Sequence, residues 1–246
     1  MTTTSPAFRA AGGGAAGVTF LLIHGVGLSH LSFSRLARAL APHGDVVAPD
    51  LPGFGAAPAT PRRLTIEEYA DALEPVVDRA PGRIVVVGHS LGTELAVELA
   101  LRRPGRVAGV VLIGSVVDPA APTAVGQGLR LLRDYVGEPP RTLLMVARCY
   151  LQGGPREFLR GTLSMLEYST DRRIADLGAP LLVLRGARDP IAPEPWSRWL
   201  SEQVPGGRYR AVPGARHNCV HSRPAGVARE IAAFVDELVL SRAAHA

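Results

Sequence analysis

The chain has 246 residues, of which 47% are hydrophobic and 20% charged, and this composition predicts a single folded domain with a large core rather than disorder. The formal net charge is +5, and all 27 of the lysine-plus-arginine residues are arginines, which is typical of a GC-rich bacterial genome. These arginines are scattered and form no basic block or aromatic-interleaved stripe, so the sequence does not support nucleic-acid binding.

The cysteine content and the apolar runs predict the environment in which the chain folds. Cys149 and Cys219 lie far apart without CxxC spacing, which favours reduced thiols over a disulfide framework. The first residues lack the pattern of a signal peptide, and no apolar run approaches the ~20 residues of a membrane-spanning helix. We therefore expect a soluble cytoplasmic protein, monomeric or homodimeric, that acts on a small molecule and binds no membrane or nucleic acid.

Short runs of valine, isoleucine and leucine alternate with longer helical patterns, which is typical of a parallel sheet with helices on both faces. The predicted strands span residues 18–23, 45–48, 83–87, 107–113, 180–185 and 208–212. The predicted helices span residues 31–40, 65–79, 91–102, 194–203 and 224–240. At most one short edge strand, near residues 8–11, fits before the first of these. The sequence thus predicts an α/β fold with a mostly parallel sheet.

The interval 115–176 breaks this alternation. It contains no convincing strand but three helix-like pieces, at 128–136, 140–150 and 156–168. An unstructured loop of that length is improbable within a compact domain, so we interpret the interval as a helical insertion. The predicted organisation is a core made of 1–114 and 177–246, with 115–176 inserted into it.

A serine between glycines follows the apolar run Ile84-Val85-Val86-Val87. Gly88-His89-Ser90-Leu91-Gly92 matches the pattern G-x-S-x-G between a predicted strand and a predicted helix. A tight turn there would project the Ser90 hydroxyl from the carboxyl edge of the sheet, beside the positive end of the next helix. The alternative interpretation is that Ser90 only caps that helix.

Three further motifs follow predicted strands. His24-Gly25-Val26-Gly27 follows the first clear strand, Asp50-Leu51-Pro52-Gly53-Phe54-Gly55 follows the second, and Asp189 and His217 follow the last two. A serine hydroxyl needs a base within hydrogen-bond reach, which His217 can supply if Asp189 orients it. Gly25-Val26-Gly27 could instead begin a dinucleotide fingerprint, but His30 stands where that motif needs glycine or alanine.

Together these motifs resemble the α/β-hydrolase fold, in which the triad order is Ser, Asp, His. The resemblance extends from about residue 18 to residue 240. It implies that Ser90, Asp189 and His217 are catalytic and that the backbone amides of Val26 and Leu91 form an oxyanion hole. It also implies that 115–176 is a lid over the nucleophile.

Other residues compete for these roles. His221 is an alternative base, and Asp118 is an alternative acid. We expect His24 and His89 to support the loops through hydrogen bonds and Cys219 to be a packing residue. No metal or cofactor is implied, since the chemistry needs neither and no ligand spacing is evident.

The resemblance implies a serine hydrolase that cleaves an ester, thioester or lactone through an acyl-enzyme. Since a lid shapes an apolar pocket, we expect the substrate to have a hydrophobic part. The candidate substrate contacts are Ser29, His30, Leu144, Met145, Tyr150, Met165 and Leu166. Two alternatives stay open: the same residues also suit carbon–carbon bond hydrolysis, cyclisation or acyl transfer, and a pocket of this kind could bind a ligand without turnover.

Overall fold

The fold is built around one mixed β-sheet of seven strands in the described residues. The computed structural model describes residues 5–10, 17–119 and 123–243. Within them the strands are β1 (Ser5–Ala10), β2 (Val18–Ile23), β3 (Asp45–Asp50), β4 (Arg83–His89), β5 (Val107–Ile113), β6 (Leu181–Gly186) and β7 (Arg208–Val212). Their order in the sheet is β1-β3-β2-β4-β5-β6-β7, and all pairings are parallel except that of β1 with β3. The predicted α/β fold with a mostly parallel sheet is confirmed.

Helices occupy the connections between the strands. They are α1 (Ser34–Leu40), α2 (Ile66–Arg79), α3 (Gly92–Arg102), α4 (Ala124–Tyr135), α5 (Pro140–Glu167), α6 (Thr170–Arg173), α7 (Glu194–Glu202), α8 (Cys219–Ser222) and α9 (Pro224–Ala243). The start of α2 shows how the sequence sets a boundary: the Thr65 side chain accepts a hydrogen bond from the Glu68 amide, and the Glu68 carboxylate accepts one from the Thr65 amide.

Each face of the sheet packs against its own hydrophobic core. Successive residues of β4 alternate between the two: Ile84 and Val86 join the core beneath α2, α3 and α7, whereas Val85 and Val87 join the core beneath α1 and α9. Since side chains alternate across a strand, a continuous apolar run is what a strand buried on both faces requires. The central strands therefore hold their carboxyl ends rigidly.

The strand ends differ slightly from the sequence prediction. β3 continues to Asp50 and β4 to His89, two residues further than predicted in each case, which brings both side chains to the carboxyl edge of the sheet. At the other end of the chain, β1 is the single edge strand that the sequence allowed; Ala11, the last residue of that prediction, lies outside the described residues.

The segment between β5 and β6 is helical. Its described residues, 115–119 and 123–176, contain α4, α5 and α6 and no strand, as predicted. Within α5, Gly154 has non-helical backbone angles (φ 73°, ψ 166°), so α5 consists of two helical pieces that meet there, one containing the predicted 140–150 and the other the predicted 156–168. Pro155 follows Gly154 and cannot supply a helical amide donor there. No helix in the described part of the chain is both long and apolar enough to cross a bilayer.

Candidate active site

Ser90 lies in the tight turn between β4 and α3. Its φ is 55°, a left-handed conformation that non-glycine residues rarely adopt. Its amide donates to the carbonyl of Ile113 on the neighbouring strand β5, at 3.0 Å, which fastens the turn to the sheet. The first residues of α3 then turn away, so that the Ser90 side chain faces a cavity at the carboxyl edge of the sheet.

The two glycines that flank Ser90 are sterically required. A Cβ placed on Gly88 would lie 2.1 Å from the carbonyl oxygen of Gly92, and one placed on Gly92 would lie 2.1 Å from that of Ile23. A third glycine contributes from the neighbouring turn, since a Cβ on Gly25 would lie 2.8 Å from the Ser90 Cβ. Backbone from β2 and α3 therefore packs directly around the serine, as a turn of this shape demands.

Asp189 and His217 form a buried pair beside this turn. Asp189 Oδ2 lies 2.8 Å from His217 Nδ1, and Asp189 Oδ1 accepts hydrogen bonds from the amides of Ile191 and Ala192. With Nδ1–H donated to the carboxylate, Nε2 is the ring nitrogen left to accept a proton. No hydrogen bond joins Ser90 to the His217 ring among the described residues, but both side chains line the same cavity.

The electrostatics of the pair favour the charged forms of both groups. Burial alone would lower the pKa of His217, but the carboxylates of Asp189, Asp134 and Glu138 outweigh it and raise that pKa above its ordinary value. Burial alone would also raise the pKa of Asp189, yet the His217 ring and two backbone amides hold it below its ordinary value. The imidazole is thus set up to accept a proton and to be stabilised once it has done so.

Two backbone amides lie next to the serine. Val26 is in the turn after β2, which is closed by a 3.1 Å hydrogen bond from the Leu28 amide to the Gly25 carbonyl, and Leu91 follows Ser90 at the start of α3. In the described part of the chain, neither the Val26 amide nor the Leu91 amide donates a hydrogen bond. Amides left in this state, one in a tight turn and one at a helix start, can stabilise an anion.

The cavity has a volume of about 150 Å³ and is lined by the sheet edge on one side and by α4 and α5 on the other. Its lining includes the apolar residues Val26, Leu28, Val116, Leu131, Phe158, Met165 and Ile191. Its polar lining includes Ser90, His217, Asn218, Gln127, Thr162 and two tyrosines, Tyr135 and Tyr150, whose hydroxyls lie 2.7 Å apart. An apolar pocket with a few polar groups is the usual form of a small-molecule site.

The predicted substrate contacts divide into two groups. Tyr150 and Met165 lie at the cavity, but Ser29, His30, Leu144, Met145 and Leu166 do not. Ser29 is fully buried, with its hydroxyl 3.2 Å from Cys149 Sγ, and His30 Nδ1 lies 2.9 Å from Asp50 Oδ1.

The other three lie on α5 but point elsewhere. Leu144 is 73% exposed on the outer face of the helix. Met145 packs with Leu28 and Val146, and Leu166 packs against the core beneath α3. Since these three residues, Ser29 and His30 do not line the cavity, the structure gives their predicted contact with the substrate no support.

The two histidines next to the motifs hold loops in place. His24 Nδ1 donates to the carbonyl of Gly25 at 2.8 Å, and its Nε2 accepts from the amide of Leu51 at 3.0 Å, which ties the turn after β2 to the loop after β3. His89 Nε2 donates to the carbonyl of His217 at 3.0 Å. Burial lowers the pKa of His24 and, together with the nearby His217, lowers that of His89 to about 3. Both rings are therefore neutral.

The rival residues have other partners. His221 Nδ1 lies 3.1 Å from Thr142 Oγ1, and the side chain is not part of the cavity lining. Asp118 forms an ion pair with Arg130 at 2.9 Å. Cys219 is fully buried, and burial raises the pKa of its thiol far above the ordinary value, so a thiolate there is disfavoured.

Several supporting residues escaped the sequence analysis. The buried guanidinium of Arg185 donates to the carbonyls of Ala192 at 2.7 Å and Asp189 at 2.8 Å, so it organises the loop that carries the carboxylate. Gly114 has a φ of 63°, and a Cβ there would lie 3.0 Å from the His217 ring. The only sequence signal for either residue is its position at the end of a predicted strand.

Asp134 also escaped the sequence analysis, and it accepts the amide of His217 at 3.2 Å. No sequence pattern marked it, because the sequence does not show where the inserted segment lies relative to the sheet. In the part of the chain that the structure describes, no group of three or more histidine, cysteine or acidic side chains is arranged to hold a metal ion.

Comparison with known proteins found a matching family and several relatives. The model of the alpha/beta hydrolase family matches residues 20–230. The pimeloyl-[acyl-carrier protein] methyl ester esterase of Aromatoleum aromaticum is 30% identical over 251 residues, which cover 89% of this chain and 97% of that protein. The enzyme of the same name from Chromobacterium violaceum is 31% identical over 226 residues, covering 82% and 87%. The fold is also that of a thermophilic esterase from Thermogutta terrifontis, with a TM-score of 0.78 at 24% identity, covering 96% and 97% of the two chains.

Proposed function

The chain belongs to the alpha/beta hydrolase family of enzymes, and we propose that it is a serine hydrolase that cleaves a carboxylic ester, thioester or lactone through an acyl-enzyme on Ser90. The observation that carries this proposal is the 2.8 Å pair of Asp189 and His217, whose histidine lines the same cavity as the serine at the end of β4. A serine on such a turn, with a histidine and an oriented acid nearby, suits acyl transfer.

In the first half of the reaction, His217 Nε2 takes the proton of the Ser90 hydroxyl as its oxygen attacks the carbonyl carbon. Asp189 keeps the proton on Nδ1 and stabilises the imidazolium that forms. When the tetrahedral intermediate collapses, the bond from the carbonyl carbon to the leaving oxygen or sulfur breaks. His217 returns its proton to that atom, and the acyl group stays on Ser90.

In the second half, a water molecule attacks the acyl-enzyme while His217 takes one of its protons. The bond from the carbonyl carbon to Ser90 Oγ then breaks, the proton returns to the serine, and the carboxylic acid leaves. In both halves the carbonyl oxygen becomes negative, and the amides of Val26 and Leu91 are the donors we assign to it. One such donor is worth about 3 kcal/mol of transition-state stabilisation.

The inserted segment serves in this proposal as a lid. Side chains from both α4 and α5 line the cavity above Ser90, among them Leu131, Phe158 and Met165. Helix α5 also packs tightly on the turn that carries the Val26 amide: a Cβ on Gly161 would lie 2.9 Å from Val26 Cγ2, and one on Gly27 would lie 2.3 Å from Tyr150 Cε1. The lid thereby excludes water and supplies most of the apolar contacts for an acyl or alcohol group.

The relatives suggest a narrower substrate. Two of them are named for the hydrolysis of a methyl ester on a carrier-bound acyl chain. We therefore propose that the substrate of this enzyme is an ester of an aliphatic acyl chain, whose hydrocarbon part contacts the apolar lining of the cavity. The alternatives of carbon–carbon bond cleavage, cyclisation and acyl transfer have no feature of the cavity that favours them over hydrolysis.

The test uses p-nitrophenyl acetate and butyrate, a thioester, a lactone and a vinylogous diketone with the full-length protein and its Ser90→Ala variant. We expect turnover of at least one oxygen or sulfur ester that Ser90→Ala reduces on the order of 10³-fold or more. Turnover of the diketone alone would replace ester hydrolysis with carbon–carbon bond hydrolysis. Ester turnover that survives Ser90→Ala would contradict the assignment of the nucleophile.

A further inference from the structure

A short stretch of the lid contacts the loop that carries the base. It runs from Asp134 at the end of α4 into the first turn of α5, and we call residues 134–142 the base clamp. Asp134 Oδ1 accepts the backbone amide of His217 at 3.2 Å, and Glu138 Oε1 accepts that of Asn218 at 2.8 Å. Two consecutive amides beside the imidazole are therefore held by side chains from a different part of the chain.

Further contacts extend the clamp on both sides. Thr142 Oγ1 lies 3.1 Å from His221 Nδ1, and the Arg216 guanidinium donates to the carbonyl of Arg133 at 3.3 Å. The fit is close, because a Cβ on Gly137 would lie 2.1 Å from the Arg216 guanidinium. The lid therefore contacts the segment from Arg216 to His221 at both of its ends as well as at His217 and Asn218.

The two acids of the clamp are buried but only partly satisfied. Asp134 is 0% exposed and Glu138 is 5% exposed. Each carboxyl uses one oxygen on a backbone amide, while Asp134 Oδ2 and Glu138 Oε2 have no hydrogen-bond partner within the described residues. Burying carboxyl groups in this way is costly unless a nearby positive charge compensates them. The Arg216 guanidinium lies 4.0 Å from Asp134 Oδ1, and the proposed mechanism provides a second positive group, the protonated ring of His217.

We infer that Asp134 and Glu138 are positioning residues for the general base, which hold the backbone at His217 and Asn218 and place negative charge beside the imidazole. This inference rests on the proposed function, since it assumes that His217 is the base. It assigns the lid a second role: besides covering the cavity, the lid fixes the residue that activates the nucleophile.

The groups around His217 support this role. Asp189 faces the ring from the loop after β6, His89 from β4, and Asp134 and Glu138 from the clamp. Arg216, next to His217 in the chain, lies 4.0 Å from Asp134. Burial lowers the pKa of His217, but the three carboxyls outweigh burial and raise that pKa. Burial also raises the pKa of Asp134, and it raises the pKa of Glu138 to about 6. The fall of kcat/KM at low pH, which we call the acid limb, therefore reflects the coupled titration of His217 and these carboxyls.

The test separates position from charge at Asp134. In Asp134→Asn the amide oxygen still accepts the His217 amide, but the charge is lost. We expect its plateau kcat to stay within a few-fold of wild type and the acid limb of kcat/KM to move down by about half a pH unit or more. Asp134→Ala also loses the acceptor, and a displaced base should lower kcat on the order of 10-fold to 100-fold with little change in KM.

Two further variants are needed: Glu138→Gln tests the second acid of the clamp, and Glu167→Gln is the control. Glu138→Gln should shift the acid limb in the same direction as Asp134→Asn. Glu167→Gln changes the same charge at an exposed position at the end of α5, where Glu167 pairs with Arg63, and should leave the profile unchanged. The far-ultraviolet circular dichroism of each variant checks that it is folded. If Asp134→Ala does not fold, the two amide variants still decide the question.

The result that overturns the inference is a wild-type acid limb in both amide variants, accompanied by a wild-type kcat in Asp134→Ala where that variant folds. In that case labelling of wild-type Ser90 by a fluorophosphonate, measured on the same samples, still supports the proposed function. Failure of the wild-type protein to be labelled at Ser90 would instead overturn the proposed function, and this inference with it.

Discussion

Asp189 and His217 are 28 residues apart in the chain, yet Asp189 Oδ2 lies 2.8 Å from His217 Nδ1, and both residues are buried. The orientation of the carboxyl is fixed as well, because its other oxygen accepts the amides of Ile191 and Ala192. The pair therefore has one geometry and one tautomer, in which Nε2 is the proton acceptor.

Replacement of Asp189 by asparagine should reverse that tautomer. The carboxamide oxygen is best placed on the amides of Ile191 and Ala192, so the NH₂ group faces His217 Nδ1. The ring must then carry its proton on Nε2, where it cannot accept one from Ser90. We expect kcat for p-nitrophenyl butyrate to fall on the order of 10⁴-fold. Asp118→Asn is the control, and a loss of similar size there would assign the orienting role to Asp118.

The pH dependence of hydrolysis should report the neighbourhood of His217. The nearby carboxyls raise the pKa of the ring above its ordinary value of 6.5, and only the neutral ring can act as a base. We therefore expect kcat/KM to fall below an apparent pKa higher than 6.5 and to be level above it, measured from about pH 5 to about pH 9. An acid limb clearly below the ordinary histidine value would show that burial outweighs the carboxyls.

The glycine that starts α3 should tolerate no side chain. A Cβ on Gly92 would lie 2.1 Å from the Ile23 carbonyl oxygen, and backbone on either side is held by the sheet. We expect Gly92→Ala to lower the free energy of unfolding on the order of 3 kcal/mol. A Cβ on Gly105 would have no atom within 4 Å, so Gly105→Ala should change it by about 0.5 kcal/mol or less. Chemical denaturation of both variants makes the comparison, and equal losses would contradict it.

Met165 and Leu144 both lie on α5, on either side of Gly154, but should affect specificity differently. Met165 lines the cavity, whereas Leu144 is 73% exposed on the outer face. Met165→Ala enlarges the apolar pocket, so the ratio of kcat/KM for p-nitrophenyl octanoate to that for the acetate should rise on the order of 10-fold. Leu144→Ala should leave the ratio unchanged. The same ratio in both variants would place the acyl chain outside this cavity.

The core of the fold and the loops at the sheet edge were predictable because their signals are local. A continuous apolar run such as Ile84-Val85-Val86-Val87 requires burial on both faces, and Gly88 and Gly92 mark the turn that follows it. Parallel strands then bring the residues after each carboxyl end to one edge, which is why the sequence alone predicts that Asp189 and His217 lie near each other and near Ser90.

The inserted segment was predictable as helix, but the sequence did not show which of its side chains face the sheet. Its helices carry apolar residues on both faces, so periodicity does not show which side is inward: Leu129 and Leu132 on α4 are each 64% exposed, whereas Gln127 and Asp134 on the same helix are buried. For that reason the sequence placed Leu144 at the substrate. It also failed to identify the acids of the clamp, whose partners lie about 80 residues away.

The central claim is that Ser90 is the nucleophile, with His217 as its base. The most direct measurement is to treat the wild-type protein with a fluorophosphonate and map the modified peptide by mass spectrometry, with His217→Ala treated in parallel. We predict one adduct, on Ser90, that forms on the order of 10³-fold more slowly in His217→Ala. An adduct on another residue, or labelling of Ser90 at an equal rate without the imidazole, would contradict this claim.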